Sequence, residues 1–360
     1  MLSDQNWLIE YSKAAAETDA LIGNANYGDL ILAGLFGEAG SILAEFKKQE
    51  RDLAAYPYYK NSLREEIGDF LWYFFRCINH FCDSALIDKL RSINLQVAIS
   101  HEKPRVMLGF AANIGALMKA PLTPEQTSPQ LFLEIWQSLK SIEQASGIEL
   151  RIAAQDNLKK SADKWPKQRN YHELFDDDLP DIEQLPRKLR IEFRELNLEN
   201  GRRTVILRCN EINFGARLTD NIQIADDYRF HDIFHFAYLV YLGWSPVVRS
   251  LLNCKRKSRP ELDENQDGAR AAIIEEAISA SVFAYAKNLR YFEGLRSLDY
   301  TLLKMIHRFS EGFEVFQVSL WQWEQAVLKG YEIFRQLREN RGGFVITDLK
   351  SRSLEFSPSR

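Results

Sequence analysis

Apolar residues recur at helical spacing through the first half of the chain. Trp7, Leu8, Tyr11, Ala14 and Ala15 form one stripe, which the run Gly23–Asn24–Ala25–Asn26 ends. Ile31, Leu32, Leu35, Phe36, Ala39, Ile42, Leu43 and Phe46 form a longer one and predict a helix over about 30–49, with Asp29 as its cap. A third helix, over about 63–81, carries Phe70, Trp72, Tyr73, Phe74 and Phe75. A helix apolar around most of its circumference belongs at the centre of a bundle. One or two further helices fit 84–120. Two more run from Ser128–Pro129 to Gly147 and from about 149 to 164, where Trp165–Pro166 stops the pattern.

The pattern then changes. Residues 172–188 are rich in Asp and Glu and contain Pro180 and Pro186, which reads as an inter-domain linker. Leu189, Ile191 and Phe193 alternate with charged residues, Asn200–Gly201 is a turn signal, and Thr204–Val205–Ile206–Leu207 is β-branched and apolar. Together they predict a β-hairpin. Helical spacing returns over 226–241 and 268–287 and continues to about 337, with Trp321, Trp323, Tyr331 and Phe334 as core positions. Phe344–Thr347 reads as a terminal strand with a partner near Ser353–Phe356. The expected organisation is a mainly α chain: a helical domain over 1–171, an acidic linker over 172–188, and a second helical domain with short β elements over 189–360.

Composition narrows the function classes. Hydrophobic residues make up 46% and charged residues 27%, as in an ordinary globular protein. Lysine plus arginine is 46 against 50 acids, a net charge of −4, which argues against a polybasic nucleic-acid binder. The sequence has neither an apolar run of membrane-spanning length nor a basic-then-apolar leader, so a cytoplasmic protein is expected. Cys77, Cys82, Cys209 and Cys254 show no CxxC pairing and read as reduced thiols. GxGxxG, Walker and GxSxG signatures are absent.

Carboxylates on the apolar helices carry the first chemical signal. Glu38 and Glu45 lie seven residues apart on one helix, and Glu66 and Asp69 three apart on the next, each pair sharing a face. Acids on apolar faces are costly unless paired or bound to a cation, and hard oxygen ligands suit Mg²⁺ or Mn²⁺. The competing reading is a solvated acidic surface neutralised by Lys47, Lys48 and Arg64.

The wording around these acids is more specific. GLFGEAGSILAEFKK (34–48), REEIGDFLWYFF (64–75) and AQDNLKKSADKWP (154–166) occur in that order. They resemble the GExGE…KK helix, the ExxD helix and the closing Asn/Lys helix of the MazG-type nucleoside triphosphate pyrophosphohydrolases. The resemblance covers roughly 1–166 and implies a four-helix core, a homodimer, and Mg²⁺- or Mn²⁺-dependent hydrolysis of a (d)NTP to (d)NMP and pyrophosphate. It places Glu38, Glu66 and Asp69 at the catalytic metal and Asn157, Lys160 and Lys164 at the nucleotide. Ser41 stands where the second Glu of the first motif belongs, and Glu45, further along the same face, is the candidate replacement. With that acid missing, a nucleotide-sensing module is the alternative.

The second half has its own constellation. In DDYRFHDIFH (226–235), His231 and His235 share a helix face, as do Asp232 and His235, and Glu275 and Glu276 follow on another apolar helix. HDIFH differs from the HExxH zinc motif by Asp for Glu, with Glu276 as a candidate third ligand and a zinc hydrolase as the implied class. A phosphohydrolase of the HD type would need further ligands, and His307 is the one later histidine. Hydrogen-bonded core histidines are the bland alternative. The order of polar pair, basic cluster, double Glu and aromatic stretch repeats that of the first half. This looks like a diverged second helical module and is similar to the C-terminal domains attached to some MazG-like proteins. The basic stretch Cys254–Arg259, with Arg249 and Arg270, reads either as a polyphosphate site or as a solvated loop.

Overall fold

The computed structural model describes residues 2–4, 6–93, 103–121, 123, 126–199 and 201–359. The chain divides into two units, Met1–Trp165 and Pro166–Arg360.

The first unit is helical throughout its described residues. Its helices are α1 (Trp7–Glu17), α2 (Tyr27–Asp52), α3 (Tyr59–Phe81), α4 (Ala85–Ser92), α5 (Lys103–Lys119), α6 (Pro129–Ser146) and α7 (Leu150–Lys164). As expected, α3 is central: Phe70, Leu71, Phe74, Phe75 and Ile78 are fully buried, packed with Ile31 and Leu35 of α2 and Trp136 of α6. Asp29 is not the cap of α2. The helix starts at Tyr27, so Asp29 lies in its first turn, where an acid suits the positive end of the helix dipole. Gly68 sets the approach of α7 to α3. A Cβ there would stand 2.7 Å from the Ala153 carbonyl oxygen and 3.0 Å from Asn157 Cβ. The missing side chain lets α7 lie directly over the Glu66–Asp69 turn.

The second unit contains more sheet than a hairpin. Strands β1 (Lys188–Asn197), β2 (Arg203–Cys209), β3 (Ile212–Leu218), β4 (Gly342–Asp348) and β5 (Ser353–Ser357) form one antiparallel sheet in the order β3-β2-β1-β4-β5. The terminal strands therefore complete the hairpin sheet, with Ile191 opposite Val345 and Phe193 opposite Gly343. Gly342 and Gly343 have φ of 124° and 147°, and a Cβ on Gly342 would meet the Phe193 carbonyl oxygen at 2.4 Å. Asn200 of the expected turn lies outside the described residues; beside it, the Leu198 amide donates to the Arg202 carbonyl at 2.8 Å.

Helices α8 (Asp232–Leu242), α9 (Pro246–Leu251), α10 (Pro260–Asn265), α11 (Ala269–Lys287), α12 (Tyr300–Phe309) and α13 (Leu320–Asn340) complete the unit. Every residue of α8 is buried, and α13, with Trp321, Trp323, Tyr331 and Phe334 all in the core, packs along it. The paired long helices of the first unit are not repeated here, since α8 has 11 residues and runs chiefly beside α13.

Two charged segments of the second unit answer each other. The acidic run expected to be a linker is built into the core: Leu185 is buried there, and Asp176 accepts from Arg249 at 2.6 Å and pairs with Arg187 at 2.8 Å. Arg256 of the basic stretch is fully buried between Asp267 and Glu314, at 2.7 Å from each, and Arg259 pairs with Asp178 at 2.6 Å. Arg249 and Arg256 are thus buried and committed within the fold, leaving neither a solvated loop nor an open polyphosphate site at these two positions, whereas Arg259 is half-exposed in a surface pair, as the solvated-loop reading expects. Among the described residues no helix is long and apolar enough to cross a membrane.

Candidate metal centres

In the first unit α2, α3 and α7 converge. Glu38 comes from α2, Glu66 and Asp69 from successive turns of α3, and one oxygen from each lies within 4.8 Å of the others. All three are partly exposed. Burial, the charges of Asp69 and Glu66, and a hydrogen bond with Glu66 push the Glu38 pKa up to about 7, against the opposing charge of Lys160. Lys160 Nζ lies 2.5 Å and 2.6 Å from the two Asp69 oxygens and 3.6 Å from Glu65. The Asn157 amide donates to Asp69 at 2.8 Å and accepts from the buried Tyr11 hydroxyl at 2.8 Å, and that hydroxyl also reaches the Gly68 carbonyl at 3.2 Å.

Five of the residues singled out from sequence therefore meet: Glu38, Glu66, Asp69, Asn157 and Lys160. Glu45 does not join them. It is buried, and its carboxylate accepts from Lys48 at 2.5 Å and from the Tyr56 hydroxyl. A seven-residue spacing keeps two side chains on one face but separates them by about 10 Å along the axis, too far to share one ion. Lys164 is buried with its ammonium 4.7 Å from the Trp165 ring centre. Lys159 is a solvated residue, 3.4 Å from Asp156. If the three convergent carboxylates hold a divalent ion, Glu45→Gln should leave Mg²⁺-dependent rates within about twofold of wild type while Glu38→Gln lowers them strongly, since the Glu45 carboxylate is outside the set. Matched rate measurements on the two variants check this.

In the second unit His231 precedes α8, His235 lies on its first turn, and Glu275 and Glu276 face them from α11. His235 Nδ1 lies 2.8 Å from Glu275, whose carboxylate also accepts from Ser245 Oγ at 2.6 Å and the Val247 amide at 2.9 Å. His235 Nε2 lies 3.4 Å from Glu276, and His231 Nε2 lies 3.3 Å from Asp232. Ligand atoms of His231, His235 and Glu276 fall within 4.8 Å of one another. Burial opposes a charge on His235, yet the adjoining Glu275 and Glu276 hold its pKa well above the ordinary imidazole range.

A family model described as the MazG C-terminal domain matches residues 170–360. The chain belongs to that family. The boundary lies close to the 165/166 division of the structure and takes in the acidic run, the five-stranded sheet and the histidine cluster. No curated protein and no solved structure matches the chain. The match bears out the likeness of the second half to domains attached to MazG-like proteins. It begins at residue 170, so the reading of the first unit rests on that unit's own residues.

Tyr11 and Gly68 escaped the sequence reading. Tyr11 looks like any stripe residue on α1, and only its hydroxyl contact across 146 positions to Asn157 shows that it holds a site residue. Gly68 sits inside the ExxD turn, and a glycine at the centre of an apolar helix was the available signal for a close helix approach.

Proposed function

We propose that the first unit hydrolyses nucleoside triphosphates to the monophosphate and pyrophosphate with Mg²⁺ or Mn²⁺. The observation that carries this reading is the convergence of Glu38, Glu66 and Asp69 from two helices, backed by Lys160 and Asn157 from a third. The donor set fits such an ion: it is all carboxylate oxygen, and burial together with the neighbouring Asp69 and Glu66 charges drives Glu38 to hold a proton near neutral pH. A divalent cation held there would polarise the α-phosphoryl group and lower the pKa of an attacking water. Asn157, fixed by Tyr11, orients Asp69. Lys160, which neutralises Asp69 in this state, lies where its charge can turn to a phosphate oxygen. The test is incubation of the full chain with each NTP and dNTP plus Mg²⁺, following pyrophosphate and monophosphate together.

A specific observation supports a second reading, a nucleotide sensor. Ser41 occupies the position of the fourth acid, and Glu45 is tied to Lys48 and Tyr56, so three carboxylates remain. Tight triphosphate binding without either product would favour it.

The proton on Glu38 makes the site pH-sensitive. Its folded pKa, about 7, is above the ordinary glutamate value of 4.5, so between these values the folded chain binds more protons than the unfolded one. The Glu38 contribution to stability in the metal-free chain therefore falls as pH rises through about 4.5–7. Metal must displace the same proton, so Mg²⁺ should raise the melting temperature more at pH 8 than at pH 6. Glu38→Gln should flatten both dependences; thermal melts across pH with and without Mg²⁺ read them.

A further inference from the structure

The geometry points to a second metal centre in the MazG C-terminal domain, in which His231, His235 and Glu276 hold a divalent transition metal of the zinc class. The argument begins with the ring nitrogens. His231 Nδ1 lies 2.9 Å from the Tyr228 carbonyl oxygen, which can only accept, so Nδ1 carries the hydrogen. The ring is also stacked flat on Tyr228, with centroids 4.3 Å apart, which fixes its plane. His235 Nδ1 lies 2.8 Å from Glu275 Oε1, and Ser245 and the Val247 amide already donate to that carboxylate. Glu275 is thus an acceptor, and His235 also carries its hydrogen on Nδ1. A carboxylate or carbonyl behind each imidazole keeps the hydrogen on Nδ1 and aims Nε2 forward, the arrangement found behind metal-ligating histidines, and an incoming metal would displace any proton held on Nε2.

His235 Nε2 is where hydrogen bonding fails. His235 is completely buried, and its Nε2 has no hydrogen-bond partner. Its nearest carboxylate oxygen, on Glu276, is 3.4 Å away. A charge-assisted hydrogen bond would close to about 2.7–2.9 Å. Two ligands about 2.0–2.1 Å from a tetrahedral ion lie about 3.4 Å apart. The observed separation equals the edge of a coordination tetrahedron and is long for a charge-assisted hydrogen bond. A ring nitrogen of His231 completes the set within 4.8 Å.

Two imidazoles select a transition metal over Mg²⁺, which distinguishes this centre from the all-carboxylate one in the first unit. The Glu276 side chain is 45% exposed, so the centre opens to solvent on that side. Three protein ligands and an open side leave a coordination position for water or a ligand oxygen. Asp232, 3.3 Å from His231 Nε2, adjoins the centre but lies outside the mutually close set of three.

The test uses the full chain, stripped with chelator, saturated with Mg²⁺ and then titrated with Zn²⁺ or Co²⁺. Wild type should take up one equivalent and show the visible absorption of Co²⁺ in a nitrogen–oxygen site. His231→Gln and Glu276→Gln should each weaken uptake on the order of a hundredfold or more. Glu276 is half-exposed, so its variant keeps the fold, and far-UV circular dichroism with the metal-free melting curve verifies this. Glu38→Gln with Asp69→Asn should bind Zn²⁺ as wild type does. No uptake by the wild-type chain in Mg²⁺ would overturn the assignment. So would uptake that survives Glu276→Gln and His231→Gln, or that disappears with the first-unit variants.

Discussion

Asp69→Asn should lower Mg²⁺-dependent triphosphate hydrolysis on the order of a hundredfold or more, and Glu66→Gln should do nearly the same. Asp69 does three things at once: it is one of the three convergent carboxylates, it holds Lys160 through both oxygens, and it receives the Asn157 amide. Its amide variant removes the charge that organises all of these, while the shape of the side chain is kept. Glu66 belongs to the carboxylate set and hydrogen-bonds Glu38. Neither residue is in the apolar core, so helix content and melting temperature without metal should stay close to wild type, or rise as crowding of like charges is relieved. The experiment is a steady-state rate with the best NTP, paired with a metal-free melt. Unchanged rates in both variants would remove the first unit's metal centre from the reaction.

The convergence of these carboxylates was legible because it rests on local spacing. Glu66 and Asp69 share a helix face whatever the rest of the chain does, and an acid at Glu38 within an apolar stripe needs a partner. Glu45 shows the limit of the same reasoning. Periodicity reports the face of a helix, but not which loop residue, here Tyr56, waits beside the next turn. The sheet was half-legible for a related reason. Strands β1 and β2 alternate or carry β-branched residues, whereas β3, INFGARL, is largely exposed and gives no two-residue apolar period. The pairing of β1 with β4 joins segments about 150 residues apart, and nothing local encodes that register. The acidic run and the basic stretch were misread together. Neither shows in its own sequence the partners that bury part of it, Arg249 for Asp176 and Asp267 with Glu314 for Arg256.

The buried ion network around Arg256 gives the largest stability effect expected of a single change. Arg256→Ala should destabilise the MazG C-terminal domain by about 3–5 kcal/mol, because it strands buried acids. The Arg256 guanidinium bonds Asp267 and Glu314 at 2.7 Å each, and its backbone amide donates to Asp267 at 2.8 Å. Burial already raises the Glu314 pKa despite Arg256 beside it, so without the guanidinium Glu314 must take a proton or draw in water. Asp267 would keep Arg249, 3.6 Å away, but Arg249 is shared with Asp176. For a unit of this size the loss corresponds to roughly 10 °C in melting temperature. Replacing Arg256, Asp267 and Glu314 together by apolar residues of similar volume should restore most of the stability, since a buried ion network is costly to break but not costly to replace whole. The same variants decide the fate of the polyphosphate reading. If the basic stretch served a bound anion, Arg256→Ala would weaken binding of a polyphosphate and leave the melt unchanged. The burial of Arg256 predicts the opposite, a lowered melt with no polyphosphate affinity to lose.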